Sequence, residues 1–200
     1  MARITLTPSS ENFDMQIVLL ESLKATGWQG RWTVEGDTIR IESDIGMILE
    51  EYIRVKPLDY AGGLRLALCL GAQLAALSDN DERLGVLFFN VKDILVINND
   101  WFLLTNLSMI LPLSEENQLV LQRPISLDGC LAPELVGADT LPLVVESTCA
   151  YYSLALLCLK TLELDDDINR GIERLNGSKF YYLLKRCLEA NPKKRRFLYV

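Results

Sequence analysis

From Glu146 to Leu162 the chain reads ESTCAYYSLALLCLKTL, which is apolar nearly all the way round a helix. A helix at a protein surface keeps one polar face; a helix apolar on every face must be surrounded by other elements. This longest apolar run, centred on Ser147 to Leu159, is too short to cross a bilayer, which takes ~20 residues. It is therefore expected to be a central buried helix, and the rest of the chain must cover it. With 200 residues, half of them apolar, one ordinary domain or one compact two-lobed unit can do so.

Charge and residue usage narrow the function classes. The net charge of −7 argues against nucleic acid as the main partner, because phosphate contacts need clustered Lys and Arg. One basic cluster exists, Lys193-Lys194-Arg195-Arg196; it reads as a solvated helix end with one structural arginine, the alternative being a binding patch. Five cysteines, Cys69, Cys130, Cys149, Cys158 and Cys187, form no C-x-x-C pair, and with no histidine present a zinc site would need thiols and carboxylates alone. They read as reduced thiols packed in a core, in a reducing compartment such as the cytoplasm. Met1-Ala2-Arg3 leads into an alternating segment, so neither a signal peptide nor a membrane partner is expected. The lack of histidine also removes Ser-His-Asp and Cys-His mechanisms.

Local patterns give the element order. Ala2 to Thr7 alternates and is rich in β-branched residues, so it predicts a strand. Pro8-Ser9-Ser10 starts a helix carrying Phe13, Ile17, Leu20 and Leu23, closed by Gly27. RWTVEGDTIRIE predicts two strands around a turn at Glu35-Gly36-Asp37. Gly46 to Ile53 reads as a short helix. Pro57-Leu58-Asp59 opens a longer one to about Ser78, with Leu66, Leu70, Leu74 and Leu77 on one face. LGVLFFNVKDILVI is a loop between strand-like pieces, Asn98-Asn99-Asp100 a turn, and Trp101 to Thr105 a strand. Leu111 to Val136, with three prolines, is expected to be irregular. Asp165-Asp166-Asp167 suits a helix N-terminal turn or a loop. Lys179 to Ala190 is a last amphipathic helix, broken by Asn191-Pro192. The sum is an α+β chain with a small sheet-bearing part followed by a mostly helical one.

That order resembles a protein kinase domain that begins late, at the third strand of the small lobe. LRLALCLGAQLAAL looks like the long helix before the catalytic loop. LFFNVKDILVI occupies the place of H-R-D-L-K-P-x-N-I-L-V, anchored by Ile94-Leu95-Val96. FLLTNLS looks like the strand leading into Asp-Phe-Gly, LAPEL matches Ala-Pro-Glu, YYSLALLCL resembles the buried Y-S-L-G helix, and RCLEANPKKR resembles the closing C-L-x-x-D-P-x-x-R segment. The C-terminal pattern is also similar to kinase-like proteins of large DNA viruses. The resemblance implies a protein kinase-like fold with a truncated small lobe at 1–55, of about three strands plus one helix and no glycine-rich loop, and a helical large lobe at 56–200.

Phosphoryl transfer needs phosphate cradling, metal ions and a placed base. Carried over position by position, the resemblance puts Phe88 where the base aspartate belongs and Asn90 where the loop lysine belongs. Asp93 falls in the place of the metal-binding asparagine, and Asn106-Leu107-Ser108 in the place of Asp-Phe-Gly. A phenyl ring accepts no proton, and a neutral amide at Asn106 is a poor ligand for Mg²⁺. Arg3 is the only basic residue in the first strand, and arginine is a poor stand-in for a lysine point charge. Ala150 replaces the aspartate that ties the catalytic loop, Ala155 replaces a glycine, and Phe88 with Phe89 would fill the emptied cleft. Asp93 also reads plainly as a loop carboxylate accepting backbone N–H bonds.

The resemblance further implies a contact between Glu134 of Ala132-Pro133-Glu134 and Arg195, a structural brace kept after the chemistry is gone; the alternative is that Glu134 is a surface carboxylate. The expectation is a catalytically inactive, kinase-like protein-interaction or structural module, without catalytic, cofactor-binding or metal-binding residues. It would have an unidentified protein partner and reside in the cytoplasm, meaning host cytoplasm or virion for a viral protein. The alternative is a divergent nucleotide-binding phosphotransferase using Asp93 for metal.

Overall fold

The computed structural model describes residues 2–124, 128–136, 140–164 and 167–199. Strand β1 (Ala2–Leu6) leads through a 3₁₀ turn into α1 (Phe13–Ser22). A second 3₁₀ turn, Leu23–Thr26, ends at Gly27, whose φ of 95° needs a residue without a Cβ. The hairpin of β2 (Trp32–Glu35) and β3 (Thr38–Ser43) turns at Gly36 and completes an antiparallel sheet in the order β1-β3-β2.

The connection out of this sheet differs from the expected helix. Gly46–Ile48 is a strand, β4, and only Leu49–Val55 is helical (α2). Next comes α3 (Tyr60–Asp79), whose N-cap Asp59 accepts the Gly62 N–H at 2.8 Å. Strand β5 (Leu84–Val86) precedes the motif loop. The hairpin of β6 (Ile94–Ile97) and β7 (Trp101–Leu104) turns at Asn98 and Asn99, both left-handed, a conformation that asparagine tolerates. The segment from Leu111, expected to be irregular, contributes strands: β8 (Ile110–Pro112) pairs with β5, and β9 (Gln118–Leu121) pairs with β10 (Leu143–Glu146).

The buried helix is α4 (Cys149–Thr161), shorter than its apolar run because Glu146 is still in β10. After it come α5 (Ile168–Glu173), capped by Asp167, and α6 (Lys179–Cys187), which ends before the expected Ala190. Asp165 and Asp166 lie outside the described residues. The whole is a mixed α+β chain with small antiparallel sheets.

The main core runs through both parts. Leu19, Leu20, Ile39 and Ile41 from the N-terminal sheet and helix join Leu66 and Leu70 of α3, Leu154 and Leu157 of α4, and Phe180 and Leu183 of α6. Each such side chain gains about 1.5–3 kcal/mol on burial. The run at 147–159 is not the longest apolar stretch: α3, at 20 residues, is by length and composition apolar enough to cross a bilayer. Here α1, β7 and α4 pack against it, which accounts for its apolar character.

Two buried glutamines complete this packing. In the order β4-β6-β7, strand β7 is an edge. Gln73 of α3 lies along it: its Nε2 donates to the Phe102 carbonyl at 2.8 Å, and its Oε1 accepts the Leu104 N–H at 2.8 Å. From α1, Gln16 Nε2 donates to the Leu104 carbonyl at 3.0 Å. Two amide side chains thus close an edge that would otherwise leave buried backbone groups unpaired.

Candidate functional site

The motif loop between β5 and β6 is fixed by α4. The Phe89 N–H donates to Ser153 Oγ at 2.7 Å, and the Cys149 thiol donates to the Leu87 carbonyl at 3.2 Å. On its other side the Phe89 carbonyl accepts the Cys130 N–H at 3.0 Å. Ala150, in the position expected to tie this loop, has no polar side chain; Ser153, one turn further along the same helix, makes a tie. Sequence reasoning missed Ser153, although a lone hydroxyl in an apolar helix is a signal, since a buried hydroxyl must find a partner.

The loop side chains point to different places. Phe88 is buried, in a small cluster with Leu119, Leu121, Leu135 and Val145, and its ring lies so close to Gly129 that a Cβ there would meet it at 2.8 Å. Phe89 belongs to the main core. The two rings thus pack into two separate apolar clusters, where a single cleft filled by both was expected. Asn90 caps the short turn Val91–Asp93 and donates to the Asp128 carbonyl at 2.7 Å, while Lys92 pairs with the Asp128 carboxylate at 3.1 Å.

Asp93 and Asn106 come together. The Asn106 amide donates to Asp93 Oδ1 at 2.8 Å, and Asn106 Oδ1 accepts the Ser108 N–H at 3.1 Å. The Asp93 carboxylate is therefore engaged by a side-chain amide, where backbone N–H donors were the plain expectation. Burial pushes its pKa up, with the Asn106 hydrogen bond opposing. Leu107, between Asn106 and Ser108 in sequence, is buried. Arg3 is exposed on β1, opposite Glu42. Among the described residues no group of three or more Cys, Asp and Glu side chains gathers so as to hold a metal.

The Asp93 shift has a testable sign. A carboxyl whose folded pKa lies above its unfolded value makes no difference at pH low enough to protonate both states. Stability is lost as the pH rises through the two values. Asp93→Asn should therefore gain stability relative to the parent between acid and neutral pH, measured as the difference in denaturant midpoints across that range. A pH-independent difference would contradict it.

Glu134 and Arg195, 61 residues apart in sequence, meet as a two-pronged pair: Nη2 reaches Oε2 at 2.9 Å and Nη1 is hydrogen-bonded to Oε1. Glu134 sits in the turn Pro133–Leu135, and Arg195 follows a turn started by Asn191-Pro192. Arg195 is 0 % exposed. Its Nε donates to the Glu189 carbonyl at 2.8 Å, and its guanidinium lies 4.8 Å from the Tyr152 ring centre on α4. The basic cluster is thus largely internal bonding: Arg196 donates to the carbonyls of Lys193 and Arg195, and Lys193 lies 3.8 Å from Glu146.

All five cysteines are free and buried. Burial pushes the Cys149 and Cys187 thiols up to about 12 and that of Cys130 to about 11, and it raises Cys69 and Cys158 as well. Two open concavities flank this region: one of about 780 Å³ lined by Cys130, Leu156, Leu159 and Lys160, and one of about 520 Å³ lined by Leu87, Met109, Leu111 and Val120. Ser108 lines the second; Phe88, Asn90, Asp93 and Asn106 line neither.

Compared with models of known protein families the chain matches none, and no curated protein matches it.

Proposed function

We propose that this chain is a protein kinase-like module without catalytic activity, acting through protein interaction or as a structural unit in a reducing compartment such as the cytoplasm. The carrying observation is the two-pronged Glu134–Arg195 pair, which joins the two motifs, LAPEL and NPKKR, that the resemblance to kinases says should meet. The element order supports the same reading: strand, helix and hairpin, then a long helix, a loop and hairpin, the LAPEL turn and a buried helix.

The lack of catalysis is supported by the loop. Where a proton acceptor is needed, Phe88 is buried under Gly129. At the other key position the Asn106 amide donates a hydrogen bond to Asp93. A hard cation seeks charged oxygens and would have to displace that amide from a carboxyl whose ionisation burial already disfavours. This weighs against the phosphotransferase alternative.

The test is thermal unfolding with ATP and Mg²⁺. A nucleotide bound at 100 times its Kd would stabilise the fold by ~2.7 kcal/mol, or about 5–10 °C for a chain of this size. The expected result is no Mg²⁺-dependent shift at millimolar ATP. A clear rise would overturn the non-catalytic reading and favour a nucleotide site at Asp93.

A further inference from the structure

The connection between the β1–β3–β2 sheet and the helical part runs from Ser43 to Ile48, and it is held throughout its length. Asn98, in the β6–β7 turn, points its side-chain oxygen at the connector and accepts from the Asp44 N–H at 2.9 Å and, shared with Ser43 Oγ, from the Ile45 N–H at 3.2 Å; the Ser43 hydroxyl lies 2.8 Å from the same oxygen and 2.5 Å from the Ile45 carbonyl, between which its one hydrogen is shared. Its own backbone N–H donates to the Ile45 carbonyl at 2.9 Å. Immediately after, β4 pairs with β6, with Gly46 opposite Ile97 and Ile48 opposite Leu95. From the other part, Ile4 of β1 lies over Gly46 so closely that a Cβ there would meet it at 2.4 Å.

We propose that residues 43–48 form a latch rather than a hinge, with Asn98 as its catch, so that the two parts move as one body. A hinge needs a few residues free to absorb changes in φ and ψ. Here the connector is a strand of the following part's sheet, and its first residues are bonded to a turn of that sheet. Asn98 is suited to this role for two reasons. It has φ 51°, a left-handed value that most side chains resist, and it has an amide oxygen able to take several donors at once. The latch adds to the core that already joins the two parts, and it holds whether or not the kinase-like reading does. For a module that binds a partner, it means that surfaces on both parts keep one relative geometry before binding.

The test uses the full chain and two variants at one position. Asn98→Gly keeps the left-handed backbone and removes the acceptor; Asn98→Asp keeps an acceptor oxygen. Hydrogen exchange followed by mass spectrometry should show 43–48 protected in the parent. It should show exchange there about tenfold faster or more in Asn98→Gly, the scale of losing two or three hydrogen bonds, with α3 and α4 unchanged. Asn98→Asp should stay close to the parent. Spin labels on Asp37→Cys and Glu116→Cys, introduced while the native thiols are buried, should give one narrow distance distribution. It should stay narrow in Asn98→Gly, where the connector loosens but the shared core still joins the two parts. An unprotected connector in the parent, a broad or two-peaked parent distribution, or exchange in Asn98→Gly equal to the parent's would each overturn the latch.

Discussion

Arg195→Met should lower the free energy of unfolding by about 3–5 kcal/mol, the cost of breaking a buried ion pair from one side. The size follows from what is left behind. Arg195 is wholly buried, whereas the Glu134 side chain is 21 % exposed. Removing the guanidinium leaves a carboxylate in a poorly solvated turn and frees the carbonyls of Glu189 and Ala190 that it also served. Glu134→Gln strands the guanidinium instead and should be costly too, though the carboxamide oxygen still accepts one bond. The double variant should cost less than the sum of the singles by more than 1 kcal/mol, because neither charge then remains unpaired. Urea unfolding of the four proteins gives this coupling energy directly. A value within error of zero would mean that the two motifs merely lie side by side.

Gln73→Leu is the second substitution with a large expected effect, about 2–5 kcal/mol, because it strands the Leu104 N–H and the Phe102 carbonyl and each lost partner costs ~1–3 kcal/mol. Leucine fits an apolar helix and would gain burial energy at a core-facing position of α3 that meets only side chains. At this position it faces two backbone groups that no neighbouring strand can serve. Gln16→Leu, which deprives the Leu104 carbonyl of one donor, should cost less. If Gln73→Leu unfolds at the parent's urea concentration, the glutamine is not closing the β7 edge.

The sequence made some of this readable. The all-round apolar run specified α4 because such a helix has no stable place except inside. Asn98-Asn99-Asp100 specified a turn because asparagine is at ease in left-handed backbone. Glu134 and Arg195 could be paired only through the resemblance of their motifs, since no local pattern links residues 61 positions apart. Strands β4, β8, β9 and β10 were not readable. They are three or four residues long, too short for alternation to register, and they exist because distant partners pair with them. The prolines of the Leu111 to Val136 segment pointed away from strands, yet Pro112 stands at the end of β8, where a missing N–H is tolerated. Gln73, Gln16 and Ser153 looked like minor interruptions of apolar helices. Their roles lie in long-range bonds to backbone groups, which helical periodicity does not encode.

The buried cysteines make the chain its own stopwatch. A thiol reacts as thiolate, and burial holds the Cys149 and Cys187 thiols well above neutral pH, at about 12. Cys149 lies under the motif loop, Cys130 on the strand-like stretch facing it, Cys187 at the end of α6 beside Arg196, and Cys69 in the middle of α3. Alkylation of Cys69, Cys149, Cys158 and Cys187 therefore waits for their own surroundings to open, whereas Cys130 lines an open concavity and should react first. The order in which the other four are modified by a small thiol reagent would record which region loosens first, with no foreign label attached.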